Sequence, residues 1–373
     1  MKHHYQQDGR TMAITDKALI QTDNLPIRHA GEVHSGKVRS VYWLTEADNK
    51  RLCSRYGLEN EELAVMVISD RISAYECLWQ SEGGLKGIPG KGAALNTIAR
   101  YWFTRFEEEG LAGNHIVDVP HPLVWIVRKA RPVMVEAIAR QYITGSMWRS
   151  YEKGEREVCG ITLPEGLKKN QKLDSLLITP STKGIIRGVA DIPEKDDYNI
   201  SRDQILNNLK AFRFPSAEAV HTYERLLTEG FNLISRELDA IGKVFVDTKF
   251  EFGFIGNEED ARLIYIDEIG TPDSSRYWDK ALYEQGVIRE DSKEYFREML
   301  QASVPDKDVL LNKDRMEERY ALADSFRLKD EQMMDVSRLY IDLAEQITGA
   351  PLPLSDNPKQ EILDSLNHLD LIN

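Results

Sequence analysis

Cysteine is scarce. Only Cys53, Cys77 and Cys159 occur in 373 residues, scattered and odd in number, which argues against a disulfide framework and for a reducing compartment such as the cytoplasm. No CxxC or HExxH spacing is present, so a zinc site has no ligand set to start from. Long apolar runs are missing too: none approaches the ~20 residues that a membrane span needs, and the opening "MKHHYQQDGR" has no apolar signal core. Positive charge is in deficit, with 48 Lys and Arg against 61 Asp and Glu, a net charge of −13. Phosphate-backbone binding needs a basic surface, so nucleic acid is a poor partner. A small anionic ligand responds to local charge and stays allowed. The expected partners are small molecules, with no membrane, and the composition is compatible with a homo-oligomer.

What is present is an ordinary globular balance, 42% hydrophobic and 29% charged. The length predicts two or three domains. Residues 1–30 read as a lead-in. Residues 31–135 carry β-rich runs, "KVRSVYWL", "ELAVMVISD" and "VWIVRKA", bounded by polar turns. Between them "GIPGKGAALNTIARYWFTRF" passes from a glycine-rich loop into a helix with Leu95, Ile98, Trp102 and Phe106 on one face. Residues 136–290 read as a second domain, which includes a helix capped by Ser216 and ended by Gly242. Residues 291–373 turn helical and charged, with an apolar stripe Met333, Val336, Tyr340, Leu343 and Ile347 ended at "GAPLP".

The stretch "VDTKFEFGF" (Val246–Phe254) places Val246, Phe250, Phe252 and Phe254 on one face of a strand and Asp247, Lys249 and Glu251 on the other. With "GNEEDA" and "RLIYIDEI" it reads as a hairpin. A turn centred near Glu259 puts Glu251 opposite Asp267. Like charges directly opposed are destabilising, and Mg²⁺ bound by two carboxylates and phosphate oxygens would relieve them. A solvated hairpin face with scattered charge explains the same pattern. "TPDSSRYW" sets Arg276, a fork suited to phosphate or carboxylate, beside a turn-rich loop. "ARQYITGSMW" sets Arg140 near Thr144, Gly145 and Ser146, and a plain surface loop or strand end fits each of these as well. Three further stretches are candidate phosphate loops: "SGKVRSVY", with Lys37 and Arg39 facing alike, "GIPGKG" before a helix, and "TPSTK" with Lys183. None is a Walker loop or a GxGxxG unit.

Taken together, in order and at their spacings, "GKVRSVY", "SDRISAYE", "IPGKG", "ITGSMW", "TPSTK", "VDTKFEFG" and "DEIGTPDSSRYW" closely resemble the signature segments of the SAICAR synthetase family. The resemblance covers roughly residues 31–290, and "VSRLYIDLAEQITG" resembles that family's closing helix. It implies an α+β fold, with an N-terminal domain like a kinase small lobe, an ATP-grasp-like catalytic domain and the nucleotide between them. It also implies a ligase of purine biosynthesis. Such an enzyme joins L-aspartate to the carboxylate of an aminoimidazole ribonucleotide (CAIR) through an acyl phosphate, using ATP and Mg²⁺. By resemblance, Lys249, Glu251 and Asp267 are catalytic, with Glu251 and Asp267 on the metal. Gly36, Lys37, Val38, Arg39, Ser40 and Lys183 contact ATP, and the backbone near Met134, Val135 and Glu136 reads adenine. Arg140, Ser146 and Arg276, with Asp273 nearby, clamp the ribonucleotide phosphate, while Asp70, Arg71 and Ser73 lie by the imidazole or the aspartate. No base for the aspartate amine is assigned.

The chain also departs from the family. Ser40 stands where an acid is usual, and Tyr75 and Glu76 where Phe and Asp are usual. The stretch after "TPSTK" is long, with Lys195 near the usual place of a His and Asp196 and Asp197 beside it. A phosphotransferase is disfavoured by the lack of HRD and DFG segments. An inactive nucleotide-binding homologue is disfavoured because Lys249, Glu251, Asp267 and Arg276 are all present.

Overall fold

Two sheets carry the fold, each within its own compact unit. The computed structural model describes residues 18–59, 61–257 and 260–373, so most of the lead-in and the tip of the hairpin at Glu259 lie outside the described residues. One unit comprises residues 1–97, 116–129 and 293–373, and the other residues 98–115 and 130–292. The residues read as a C-terminal extension therefore belong to the same unit as the first glycine-rich loops. Among the described residues, no helix is long and apolar enough to cross a membrane.

The first unit holds an antiparallel sheet in the order His34–Ser35, Arg39–Trp43, Leu63–Ile68, Val124–Arg128 and Ile116–His121. The apolar runs supply its strands, and Leu63, Ala64, Val65, Val67 and Val124 to Val127 are buried. Tyr42 is buried as well, its hydroxyl donating to the Thr22 carbonyl at 2.5 Å.

The second unit is built on the long strand Lys243–Ile255, which pairs antiparallel with Val135–Tyr142, Arg262–Ile266, Ser275–Asp279 and Arg131–Pro132. The helix Ala217–Ala240 packs on it. Ser216 caps that helix, its hydroxyl accepting from the Ala219 amide at 3.2 Å. Val220, Tyr223, Leu227, Phe231, Ile234 and Leu238 are buried at helical spacing, and Gly242 follows the end at φ +76°. Phe250, Phe252 and Tyr265 form an aromatic layer, with ring centroids 6.0 and 4.9 Å from the tyrosine.

Candidate active site

The long strand is paired along both edges, and all of its residues are buried except Lys249, which is partly exposed. Asp247 and Glu251 are 5% and 6% exposed. The charged side of "VDTKFEFGF" is thus an interior site and not a solvated hairpin face.

Two clusters lie along it. In the first, the Lys249 ammonium donates to Glu136 Oε1 at 3.1 Å and to Glu251 Oε1 at 3.3 Å. The Lys183 ammonium donates to Glu251 Oε2 at 2.5 Å, so each Glu251 oxygen faces a lysine. Burial pulls the Lys249 ammonium down, but Glu251, Glu136 and Asp267 outweigh it and hold the group above the usual lysine range. Burial also pushes the Glu251 carboxyl up, yet Lys249 and Lys183 outweigh it and keep Glu251 ionised. Burial holds Glu136 above the usual carboxylate range, with Lys249 opposing and with Glu251 and Asp197 adding to the rise.

The expected register needs correction. Glu251 pairs with Ile266, not Asp267. The ladder is offset by one residue from a hairpin centred at Glu259, and Asp267 follows the strand's last residue with φ +61°. The left-handed turn takes Asp267 out of the ladder, while its charge still bears on Lys249.

In the second cluster, Asp247 is the cross-strand partner of both Arg140 and Arg276. Its Oδ2 accepts from Arg140 Nη1 at 3.0 Å and from Arg276 Nη1 at 2.5 Å. Arg140 Nε also donates to Thr179 Oγ1 at 3.0 Å. Gly145 is at φ +56°, and a Cβ there would come within 2.7 Å of Arg276 Nη2, so the guanidinium lies flat on this glycine. Ser146 follows in the helix Gly145–Glu152, and Arg140, Ser146, Ser150 and Thr179 line a cavity of about 60 Å³. Asp273 sits in the turn closed by the Ser274 amide on the Thr271 carbonyl at 3.1 Å, three residues before Arg276.

Three ATP-contact expectations in this unit meet a particular geometry. The Met134 amide donates to the Phe212 carbonyl and its carbonyl accepts from the Lys183 amide, so that backbone is committed within the unit. Val135 and Glu136 pair with Thr182 and Ser181, and the Glu136 side chain joins the lysine cluster. In the long loop, Asp196 Oδ1 accepts from the Gly184 amide at 2.7 Å, while Lys195 is exposed.

The first unit carries a separate set. A turn closed by the Gly36 amide on the Arg39 carbonyl at 2.8 Å leaves Lys37 exposed, and the Val38 carbonyl accepts from the Ser69 amide. Arg71 donates to Ser69 Oγ at 3.0 Å and to the Gly36 carbonyl at 3.2 Å, tying "SDRIS" to that turn. Ser40, expected on ATP, is buried and bonded to Thr22 Oγ1 at 2.8 Å because alternation turns it inward. Asp70, expected on a substrate, is 1% exposed, with its two oxygens accepting from the Gly92 and Leu19 amides, each at 2.8 Å. That geometry makes it a brace between loop and helix. Ser73 pairs with Leu78 in a short hairpin.

Residues 32–312 match the model of the SAICAR synthetase family. The chain belongs to the SAICAR synthetase family. A phosphoribosylaminoimidazole-succinocarboxamide synthase of Shewanella pealeana is 58% identical over 362 residues, 95% of this chain and 98% of that protein. One from Vibrio parahaemolyticus is equally similar over 363 residues. The solved SAICAR synthase of Saccharomyces cerevisiae, complexed with SAICAR, superposes with a TM-score of 0.63 at 25% identity, covering 90% of this chain and 99% of that one. The SAICAR synthetase family is one of carbon–nitrogen ligases, so the chain is an enzyme with an α+β fold. Two residues that matter in this geometry escaped the sequence reading, Asp247 as the bridge between arginines and Glu136 through its side chain. Asp247 had a signal in the acid–base–acid strand. Glu136 had none until the pairing of the strands was known.

Proposed function

We propose that this enzyme joins L-aspartate to the carboxylate of CAIR by way of an acyl phosphate, giving SAICAR while ATP becomes ADP and phosphate. The observation that carries the reading is near end-to-end likeness, at 58% identity, to proteins named for that synthesis. The paired clusters on one strand support it.

A carboxylate does not yield to an amine at neutral pH, because its leaving group would be oxide. Transfer of the γ-phosphoryl group of ATP to the CAIR carboxylate oxygen breaks the bond to ADP and forms an acyl phosphate. The aspartate amine then attacks the acyl carbon, phosphate leaves with the bonding electron pair, and the amine loses a proton. Such transfer depends chiefly on alignment and charge neutralisation. Lys249 and Lys183 are placed to steady phosphoryl oxygens, and the Asp247-bridged Arg140 and Arg276, with Ser146, suit the 5′-phosphate of the ribonucleotide.

Mg²⁺ is part of the proposal. Glu251 is held ionised and Asp267 lies near enough for its charge to act on Lys249, so two carboxylates are available to a divalent cation, and Lys249 and Lys183 to the phosphate oxygens that would accompany it. Ionised Glu251 is a hard oxygen donor. Glu251 and Asp267 would hold the ion, which supplies charge neutralisation at the phosphates. The scattered cysteines support a cytoplasmic location.

Coupled ADP release, with CAIR and aspartate omitted in turn, tests the reading. The expected result is ADP only when both are present. Release that continues with a hydroxyl acceptor and no aspartate would replace the ligase with a phosphotransferase.

A further inference from the structure

Residues 75–91 and 301–340, both within the first unit, meet in matching chain order. Tyr75 Oη accepts from Gln301 Nε2 at 2.6 Å, and the Tyr75 carbonyl accepts from Arg319 Nη1 at 3.4 Å. Leu328 then bonds to Gln80 and Glu82 through its backbone, at 3.1 and 2.8 Å. The Gly83 amide donates to Asp330 Oδ1 at 3.0 Å, and Ser337 Oγ donates to the Pro89 carbonyl at 2.6 Å. Lys91 lies 5.8 Å from the centre of the Tyr340 ring.

The start of this track is strained. Ala74 pairs with Cys77, so Tyr75 and Glu76 are the two central residues of a tight hairpin, with φ of +54° and +67°. Such a turn favours Asn-Gly or Asp-Gly, and a bulky L-residue held at positive φ needs its surroundings to impose the conformation. Arg319 is suited to impose it. It is 2% exposed, and besides the Tyr75 carbonyl it donates to the carbonyls of Val309 at 3.0 Å and Asn312 at 2.7 Å, with Nη1 also donating to Met316 Sδ at 2.9 Å. A guanidinium anchored on two carbonyls of one segment offers its remaining edge rigidly to a third.

The geometry points to the C-terminal segment from Gln301 to Tyr340 as a strap that fixes the Ser73–Gly92 stretch, with Arg319 as the positioning residue for the Tyr75–Glu76 turn. The strap runs past residue 312, where the family match ends. Its consequence for catalysis rests on the reading that Arg71 and Ser73, beside the turn, face CAIR or aspartate. Arg319 itself touches no substrate.

Arg319→Met and, as a milder pair of changes that removes single hydrogen bonds, Gln301→Ala with Ser337→Ala test this. Amide hydrogen exchange across 73–92 is expected to quicken at least tenfold in both, with the second unit unchanged. The KM for CAIR or aspartate should rise about tenfold while the KM for ATP holds, since small misplacements of binding groups are costly. Arg319→Lys, which keeps one donor, should recover part of that loss. Unchanged exchange at 73–92 overturns the strap. Quickened exchange with wild-type KM for both acids overturns the positioning role, provided that Arg71→Ala raises one of them. An Arg71→Ala variant with wild-type constants refutes the substrate reading instead, and the strap then stands on its exchange rates.

Discussion

Glu251 lies between two ammonium groups, and that position decides what its loss would do. Glu251→Gln keeps the shape and one acceptor oxygen but removes the charge that Lys183 and Lys249 share. It also removes a proposed ligand of the cation. Lys249 retains Glu136, so the protein should still fold, while ligation falls by on the order of a hundredfold or more, the scale of losing a preorganised charged group. ADP release in the presence of CAIR and aspartate measures it, and wild-type turnover would remove Glu251 from the machinery. Arg276 makes the matching case for binding. Charge-assisted hydrogen bonds contribute about 1.5–3 kcal/mol each, so Arg276→Ala should raise the KM for CAIR roughly ten- to hundredfold and leave that for ATP near wild type. An unchanged KM for CAIR would take Arg276 out of the phosphate clamp.

The helix Lys91–Glu108 owes its start to a residue from another element. Asp70 accepts the Gly92 amide near the helix's first turn and the Leu19 amide with its other oxygen, satisfying a donor that the helix cannot pair internally. Burial pushes this carboxyl up to about 6, with those two amides and Lys91 opposing. A carboxyl whose folded pKa is raised holds its proton more tightly folded than unfolded, so stability falls as pH rises from about 4 to 6. Asp70→Asn has no proton to lose. It is expected to be less stable than wild type, with a gap widest near pH 4 that narrows by up to about 3 kcal/mol toward pH 7. Urea unfolding at several pH values measures the gap, and a constant gap would contradict a raised Asp70.

The same elements show how far the sequence could be read. The helix Ala217–Ala240 was legible because its cap, its buried spacing and its glycine stop all agree. The strand Lys243–Ile255 was legible as a strand, but its register was not. The offset depends on the exact centre of the turn and on Asp267 at positive φ, and neither leaves a mark in alternation. Ser40 was legible as a departure from its motif and Asp70 as a member of its own, yet their inward bonds come from Thr22, Leu19 and Gly92, which no local pattern connects to them.

At the scale of the whole chain, the least legible feature was the place of the last eighty residues. Their helices could be read, but their partners lie more than two hundred positions earlier, as with Arg319 and Tyr75 or Ser337 and Pro89. The helix Asp330–Thr348 buries Met333, Met334, Val336, Tyr340, Leu343, Ala344 and Ile347 in the first unit. Removing the helix would leave the apolar surface of the first unit that these side chains cover open to water, and each large apolar side chain is worth roughly 1.5–3 kcal/mol on burial before the cost of ordering is subtracted. A chain ended at residue 312, where the family match stops, should therefore lose the cooperative unfolding of its first unit. Calorimetry and exchange of amides in the strands Leu63–Ile68 and Val124–Arg128 would record the loss. A truncated chain that melts as sharply as the full one, with those strands still protected, would mean that the helix is an appendage to a core able to stand without it.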